Sequence, residues 1–263
     1  MTTGFSVLPM YDWPETRADV DRLWATTREA LRSEGFEAAA NLHRPDDLYA
    51  AWADDSLLVG QTCGLPLVRT LSSVAVVGAF DNRLPASPPG WYHSTIVVAI
   101  DNDVATISDL RGAAVAVNDA NSQSGHAIWR HELGRRGLTG SFFGDVVITG
   151  DHRKSIEAVA DGKADVAAID AVSMQLAERH EPAAAGVRVL TRSQPTPGLP
   201  LITAGVNAGH VPALRRALHA AVESLTAAER NALCIHAFVS LDRADYELIA
   251  KRWRDADWVP PLA

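Results

Sequence analysis

The chain has 263 residues, of which 47% are hydrophobic and 21% charged, and this fits a globular protein with one large domain or two lobes. The net charge of −8 argues against a nucleic-acid partner. Neither a membrane-spanning apolar run of ~18 residues nor a secretory signal at the N-terminus is found in the sequence. Cys63 and Cys234 have no metal-ligand spacing; a reduced pair is expected, with one distant disulfide as the alternative.

Hydrophobic periodicity predicts alternating strands and helices in the first part of the chain. Apolar residues recur at helical spacing from Val20 to Leu31, and Gly35 ends that helix. A short capped helix follows Asp46. Strands are predicted at residues 5–9, 36–42, 57–61 and 73–80. Because helices separate the strands, parallel pairing within an α/β sheet is expected.

A second series of elements follows the broken stretch at residues 85–90. Strands are predicted at residues 92–100, 113–117, 146–149, 164–169, 187–190 and 201–206, and the chain from Pro212 onward is predicted to be helical. The layout predicts two lobes joined by crossings near residues 92–98 and 194–202. The first lobe comprises residues 1–95 and 201–263, and the second comprises residues 96–200. In each lobe a mainly parallel sheet is flanked by helices, with a ligand cleft between the lobes.

Polar residues follow several of the predicted strands. Residues 118–127 place two serines, two asparagines and a glycine between a buried strand and a helix beginning at Ile128. Such a loop offers N–H groups, hydroxyl donors and a positive helix end to an anion, although an ordinary serine N-cap would give the same pattern. The candidate ligand residues at strand ends are Asn121, Ser122, Ser124, Gly125, His152 and Asp170, with Tyr11 and Thr62 in the first lobe.

Several motifs resemble those of the PhnD-like phosphate and phosphonate branch of the periplasmic binding proteins. They are Asp109-Leu110-Arg111-Gly112, Ser122-Gln123-Ser124-Gly125, residues 149–155, residues 160–170 and Pro197-Gly198-Leu199-Pro200. The resemblance implies a two-lobed type II periplasmic-binding-protein fold that closes on a small phosphorus oxyanion and serves an ABC transporter.

The same resemblance implies roles for individual residues. Ser122, Ser124 and the backbone at Gly125 would hold the oxyanion, and His152 would be a further donor. Asp170 and Tyr92 would line the cleft. Asp170 would then accept the O–H of phosphate or of a protonated phosphonate and disfavour sulfate, unless it only caps the following helix.

The remaining expectations concern location, partners and chemistry. Family members are exported, whereas this sequence shows no signal, so a periplasmic and a cytoplasmic location both stay open. An ABC transporter permease is the expected protein partner of a monomer, and no cofactor or metal is expected. The alternative function is a cytosolic enzyme of the same fold, a lyase of menaquinone or cofactor biosynthesis, with Asp170 or His152 as general base.

Overall fold

A computed structural model describes residues 4–138, 140–256 and 262. The chain divides into two compact units. The first unit comprises Met1–Trp91 and Pro197–Glu247, and the second comprises Tyr92–Thr196 and the segment from Leu248. This division differs from the predicted lobes chiefly at the C-terminus, because the segment from Leu248 belongs with the second unit. The portions of the predicted first lobe at residues 1–3, 257–261 and 263 lie outside the described residues.

The strands occur in both units. In chain order they are β1 (Phe5–Val7), β2 (Leu57–Gln61), β3 (Ala75–Asp81), β4 (Trp91–Tyr92), β5 (Ser94–Ala99), β6 (Ala114–Val117), β7 (Asp145–Ile148), β8 (Val166–Asp170), β9 (Val187–Arg192), β10 (Thr196–Pro197), β11 (Pro200–Thr203) and β12 (Ala237–Val239).

The α-helices alternate with these strands over much of the chain. They are α1 (Arg17–Ser33), α2 (Leu48–Ala53), α3 (Gly64–Arg69), α4 (Ile128–Gly134), α5 (His152–Ala160), α6 (Ala171–His180), α7 (Val211–Ser224), α8 (Ala227–Leu233) and α9 (Glu247–Asp255). A π-helical turn, Gln123–Ala127, leads directly into α4. Among the described helices, none combines the length and the apolar character that crossing a membrane requires.

The first unit is built on a five-stranded sheet with the order β1-β2-β11-β3-β12. Strands β1 and β2 are parallel, whereas β11 runs antiparallel to β2 and β3, and β12 runs antiparallel to β3. The apolar stripe of α1, which includes Leu23 and Trp24, packs in one core with Leu214 and Leu218 of α7. Burial of such stripes, at ~25 cal/mol per Å², stabilises this layer.

The second unit has a five-stranded sheet with the order β7-β6-β8-β5-β9. Strands β7, β6 and β8 are mutually parallel, and β5 is antiparallel to β8 and β9. The carboxyl ends of β6, β7 and β8 therefore meet at one edge, which is where open α/β sheets place their ligands. Ser94 at the start of β5 lies opposite Asp170 at the end of β8, so it joins the same edge.

Both sheets are mixed, because β5, β11 and β12 run antiparallel to neighbouring strands. Two of the predicted elements are wrong. The predicted strand at residues 36–42 is reduced to an isolated bridge between Ala38 and Gly4. The region after Pro212 also contains a strand, β12. This strand lies so close to β3 that a Cβ at Gly78 would be 2.3 Å from the carbonyl oxygen of Val239.

The C-terminal part of the second unit is fastened to α4. Arg130 is 3% exposed, and one of its guanidinium nitrogens donates to the carbonyl oxygen of Ala256 at 2.9 Å. Its guanidinium carbon lies 4.0 Å from the centre of the Trp253 ring, in a cation–π arrangement. A buried arginine that is satisfied in this way connects Trp253 and Ala256 to the helix that follows the predicted anion loop.

Candidate functional site

The loop between β6 and α4 starts with a side-chain cap. Ser122 is buried, and its Oγ accepts a hydrogen bond from the backbone N–H of Gly125 at 3.0 Å. Its carbonyl oxygen accepts from Ala127. The serine cap expected from the sequence is therefore present, in a turn wider than an α-helical one. Because a hydroxyl both accepts and donates, the O–H of Ser122 can still donate to a ligand.

Ser124 connects three elements of the second unit. Its Oγ lies 2.9 Å from Nε2 of His152, the first residue of α5. Its carbonyl oxygen accepts from the hydroxyl of Ser94 at 2.8 Å. The starts of β5, α4 and α5 thus meet at this serine.

His152 is held by the turn that precedes α5. Gly150 adopts a positive φ of 95°, which a glycine accepts readily, and Asp151 caps the helix by accepting from the N–H of Lys154 at 2.8 Å. Burial lowers the pKa of His152 to about 4, against the smaller opposing effect of the Asp151 charge. The imidazole is therefore neutral at physiological pH. Its Nδ1 is buried and has no hydrogen-bond partner among the described residues.

Gly125 is where the loop comes closest to its neighbours. A Cβ built on this residue would lie 1.8 Å from Oδ1 of Asn118 and 3.3 Å from Cε1 of His152. Only glycine allows these side chains to approach the turn so closely. The Asn118 Oδ1 is itself buried and has no partner within the described part of the chain. Asn118 was not among the candidates from the sequence, although its position directly after β6 was a usable signal.

Asp170 is engaged at the start of the helix that follows it. It is 2% exposed, and its Oδ1 accepts from the backbone N–H groups of Val172 at 2.8 Å and Ser173 at 2.9 Å. These bonds make Asp170 the N-cap of α6, which is the alternative that the sequence left open.

The other candidates divide between the units. Asn121 is half-buried, and its backbone N–H donates to Asp119 at 2.6 Å. Tyr92 is buried in β4, where the second unit begins. Thr62 belongs to the first unit; it is fully buried, and its Oγ1 has no partner among the described residues.

Tyr11, also in the first unit, lines a small apolar cavity at the ends of β1 and β2, together with Leu8, Gln61 and Phe80. Its carbonyl oxygen accepts from the hydroxyl of Thr16 at 2.7 Å. The structure thus brings Ser122, Ser124, Gly125 and His152 together in the second unit. Within the described residues, no cluster of His, Cys, Asp or Glu could hold a metal ion, and no disulfide joins Cys63 to Cys234.

This arrangement suits an oxyanion held by neutral groups. The side chains that meet at the loop supply hydroxyl, imidazole and amide groups, and Gly125 gives close access to the backbone. Preorganised donors of this kind bind anions without a formal positive charge because their directed hydrogen bonds replace those that the anion makes to water.

Comparison with solved structures places the fold. The chain is similar over 98% of its length to PhnD1 from Prochlorococcus marinus in complex with methylphosphonate (14% identity, 98% of that chain covered, TM-score 0.73). It is also similar to the binding protein component of an ABC phosphonate transporter from Pseudomonas aeruginosa (15% identity, 97% and 87% covered, TM-score 0.70). The aliphatic sulphonate binding protein SsuA from Escherichia coli matches less well (18% identity, 99% and 80% covered, TM-score 0.59).

At these identities the likeness shows the fold, which is the α/β type II periplasmic-binding-protein fold with two mixed sheets flanked by helices. Among curated proteins, none matches this sequence. Residues 69–247, well over half of the chain, match the family model described as "ABC transporter, phosphonate, periplasmic substrate-binding protein". The chain therefore belongs to the family of phosphonate-binding substrate-binding proteins of ABC transporters.

Proposed function

We propose that this protein captures a small phosphorus oxyanion, namely phosphate, phosphite or a phosphonate, and hands it to an ABC transporter. The observation that carries the proposal is the meeting of the Ser122–Gly125 turn with His152 at the carboxyl edge of the second unit's sheet. Family membership supports it, as does the methylphosphonate in the complex of the Prochlorococcus protein.

The contacts suggest a role for each group. The O–H of Ser122 donates to the oxyanion while its lone pair stays on the Gly125 N–H. Ser124 and His152 present a hydroxyl and an imidazole that already hold each other in position. Rotamers fixed in this way reduce the entropy lost on binding. Tyr92 and Asn121, and in the first unit Thr62 and Tyr11, enter the proposal as further predicted ligand contacts, and the cleft between the lobes stays a prediction.

The enzyme alternative receives less support from the geometry. A general base works best when its pKa lies near the operating pH, whereas burial lowers the pKa of His152 to about 4. The Oδ1 of Asp170 is engaged by two backbone N–H groups. We therefore propose that binding occurs without turnover, as in a family of substrate-binding proteins.

Partner and location follow from the family. We propose that the partner is an ABC transporter permease, that the protein acts as a monomer, and that it works on the extracytoplasmic side, as the family description implies. Fractionation of the native host with an antibody against this chain tests the location. Recovery in the cytoplasmic fraction alone would favour the enzyme alternative.

A thermal-shift panel followed by calorimetry tests the binding. Methylphosphonate, phosphite and phosphate are each added to the wild-type protein, with chloride at equal ionic strength as the control. A ligand at a hundred times its dissociation constant stabilises the folded state by ~2.7 kcal/mol, which gives a clear rise in melting temperature. Melting curves that do not move with any of the three would contradict the proposal.

A further inference from the structure

Two polar atoms of the proposed site belong to side chains that border the same glycine and have no hydrogen-bond partner among the described residues. They are Nδ1 of His152 and Oδ1 of Asn118, both buried and both without a hydrogen bond among the described residues. Both side chains border Gly125, whose absent Cβ would lie 1.8 Å from Oδ1 and 3.3 Å from Cε1, the ring carbon next to Nδ1. A buried polar atom without a partner is costly, so two of them at one place call for a ligand or a water that satisfies both.

The hydrogen bond between Ser124 and His152 decides what that ligand must be. If the Ser124 hydroxyl donates to Nε2, the neutral ring carries its proton on Nδ1 and presents a donor beside the acceptor Oδ1 of Asn118. In the other tautomer two acceptors would stand unsatisfied in one buried place, which is less favourable. We therefore assign the proton to Nδ1.

Burial keeps the His152 ring neutral in spite of the charged groups around it. Asp151 is the charged residue that acts on the ring, and Lys154 pairs with Asp151 at 3.0 Å. From β8, Asp170 directs its Oδ1 to two backbone N–H groups at the start of α6. Burial outweighs the Asp151 charge, so the ring stays neutral well below pH 7.

A ligand hydroxyl can satisfy a donor and an acceptor together, because it donates through its proton and accepts through its oxygen. Building on the proposed function, we propose that Asn118 and His152 recognise the P–O–H of a singly protonated oxyanion, which donates to Oδ1 of Asn118 and accepts from Nδ1–H of His152. An oxyanion of the same charge and shape without that proton would set an oxygen acceptor against Oδ1, and the site would reject it.

This assignment moves a selectivity role from one residue to another. The sequence suggested Asp170 as the acceptor for a ligand hydroxyl, but two N–H groups already occupy its Oδ1. The Asn118 Oδ1 carries no such bond, and Asn118 stands directly after β6, at the same sheet edge as His152. Asn118 thus becomes a specificity-determining residue of the proposed site.

Methylphosphonate and methanesulfonate form a matched pair of probes. At pH 6 methylphosphonate is largely a monoanion with one O–H, and methanesulfonate has the same charge and nearly the same shape without it. Calorimetric titration of the wild-type protein should show methylphosphonate binding roughly 10- to 100-fold more tightly, the usual range for one charge-assisted hydrogen bond gained and one repulsion avoided. Raising the pH until the second proton leaves should weaken methylphosphonate binding.

The Asn118→Ala variant tests the residue itself. It should bring the ratio of the two dissociation constants close to one, and it should unfold at the same denaturant concentration as the wild type because it removes an unpartnered group. Asn118→Asp, which keeps an acceptor at this position, should retain rejection of the sulfonate. Asn102→Ala, an asparagine change in the same unit at a turn where Oδ1 accepts from Val104, is the control that leaves the ratio unchanged.

The outcomes separate this inference from the function on which it rests. Equal affinity of the wild type for both probes, or an unchanged ratio in a folded Asn118→Ala protein, overturns the hydroxyl recognition and leaves oxyanion binding intact. If the wild type binds no phosphorus oxyanion at all, the proposed function fails and the inference fails with it.

Discussion

Two helix starts in the second unit, those of α4 and α6, use polar residues in opposite ways. At α6 Oδ1 of the Asp170 carboxylate accepts from two backbone N–H groups and so forms the N-cap of the helix. At α4 Ser122 also caps, but Ser124 extends to His152, and beside it Oδ1 of Asn118 and Nδ1 of His152 have no hydrogen-bond partner in the part of the chain that the structure describes. The comparison teaches that a polar residue after a strand becomes a candidate ligand only when local hydrogen bonding leaves an atom unused.

The largest expected effect is the pH dependence of the free energy of unfolding, which arises from His152 beside the start of α4. The pKa of His152 is about 4 in the folded protein against 6.5 for a free histidine, so between these values the unfolded chain binds more protons. Stability is therefore complete above pH 6.5 and falls on acidification, by up to roughly 1.4 kcal/mol per pH unit and about 3 kcal/mol in all. Urea unfolding between pH 4 and 7 should show this slope, and His152→Gln should be flatter. Parallel curves for the two proteins would contradict a neutral buried ring.

The next largest effect is the loss of stability expected when the Asp170 cap of α6 is removed. Asp170→Ala should lower the free energy of unfolding by about 2 kcal/mol, because two N–H groups at the start of α6 lose their acceptor. Asp170→Asn keeps the Oδ1 acceptor and should lose less. Both variants should bind methylphosphonate nearly as the wild type does when folded. If Asp170→Asn instead abolishes binding without loss of stability, Asp170 belongs to the ligand site.

At the start of α4 the opposite result is expected for Ser124, namely weaker ligand binding with little change in stability. Ser124→Ala should raise the methylphosphonate dissociation constant roughly tenfold or more, since His152 loses the hydroxyl that orients the ring and keeps its proton on Nδ1. Its melting temperature without ligand should change little. Calorimetry and a thermal melt on one preparation check both statements. If the variant binds methylphosphonate as tightly as the wild type does, Ser124 has only a structural role at the start of α4.

Ser122→Ala should have the smallest effect, divided between stability and binding. Because Oγ caps the Gly125 N–H, about 1 kcal/mol of stability should be lost, as for typical N-caps. Ser122→Asn, another strong N-cap residue, should restore most of that stability but not the hydroxyl geometry at the ligand. A variant that is fully stable yet weak in binding would show that the cap contributes nothing.

Much of the architecture could be predicted because it depends on local pattern. Apolar runs and turn glycines located α1 and the β6-to-α4 loop. Strand direction could not be predicted in this way. β5 and β11 come just after the points where the chain passes from one unit to the other, and helix–strand alternation says nothing about which way a strand enters its sheet there.

Contacts within the site could not be predicted for a similar reason. Asp170 and Ser124 are both polar residues near a helix start, and only three-dimensional contacts show that Oδ1 of Asp170 caps α6 whereas Oγ of Ser124 contacts His152. Asn118 stands out because a glycine seven positions later comes within contact distance of its side chain, a closeness that spacing does not encode. β12 was missed because it is a three-residue strand that depends on close approach to Gly78.

The buried Arg130 has a consequence for when the second unit can fold during translation. Its hydrogen bond to Ala256 and its stacking on Trp253 cannot form until those residues have left the ribosome. Completion of the first unit's sheet is delayed as well, because its central strand β11 is synthesised after most of the second unit. Neither unit can therefore complete its native contacts during early translation, and a nascent chain stalled before Trp253 would expose the surface of α4 to chaperones and proteases.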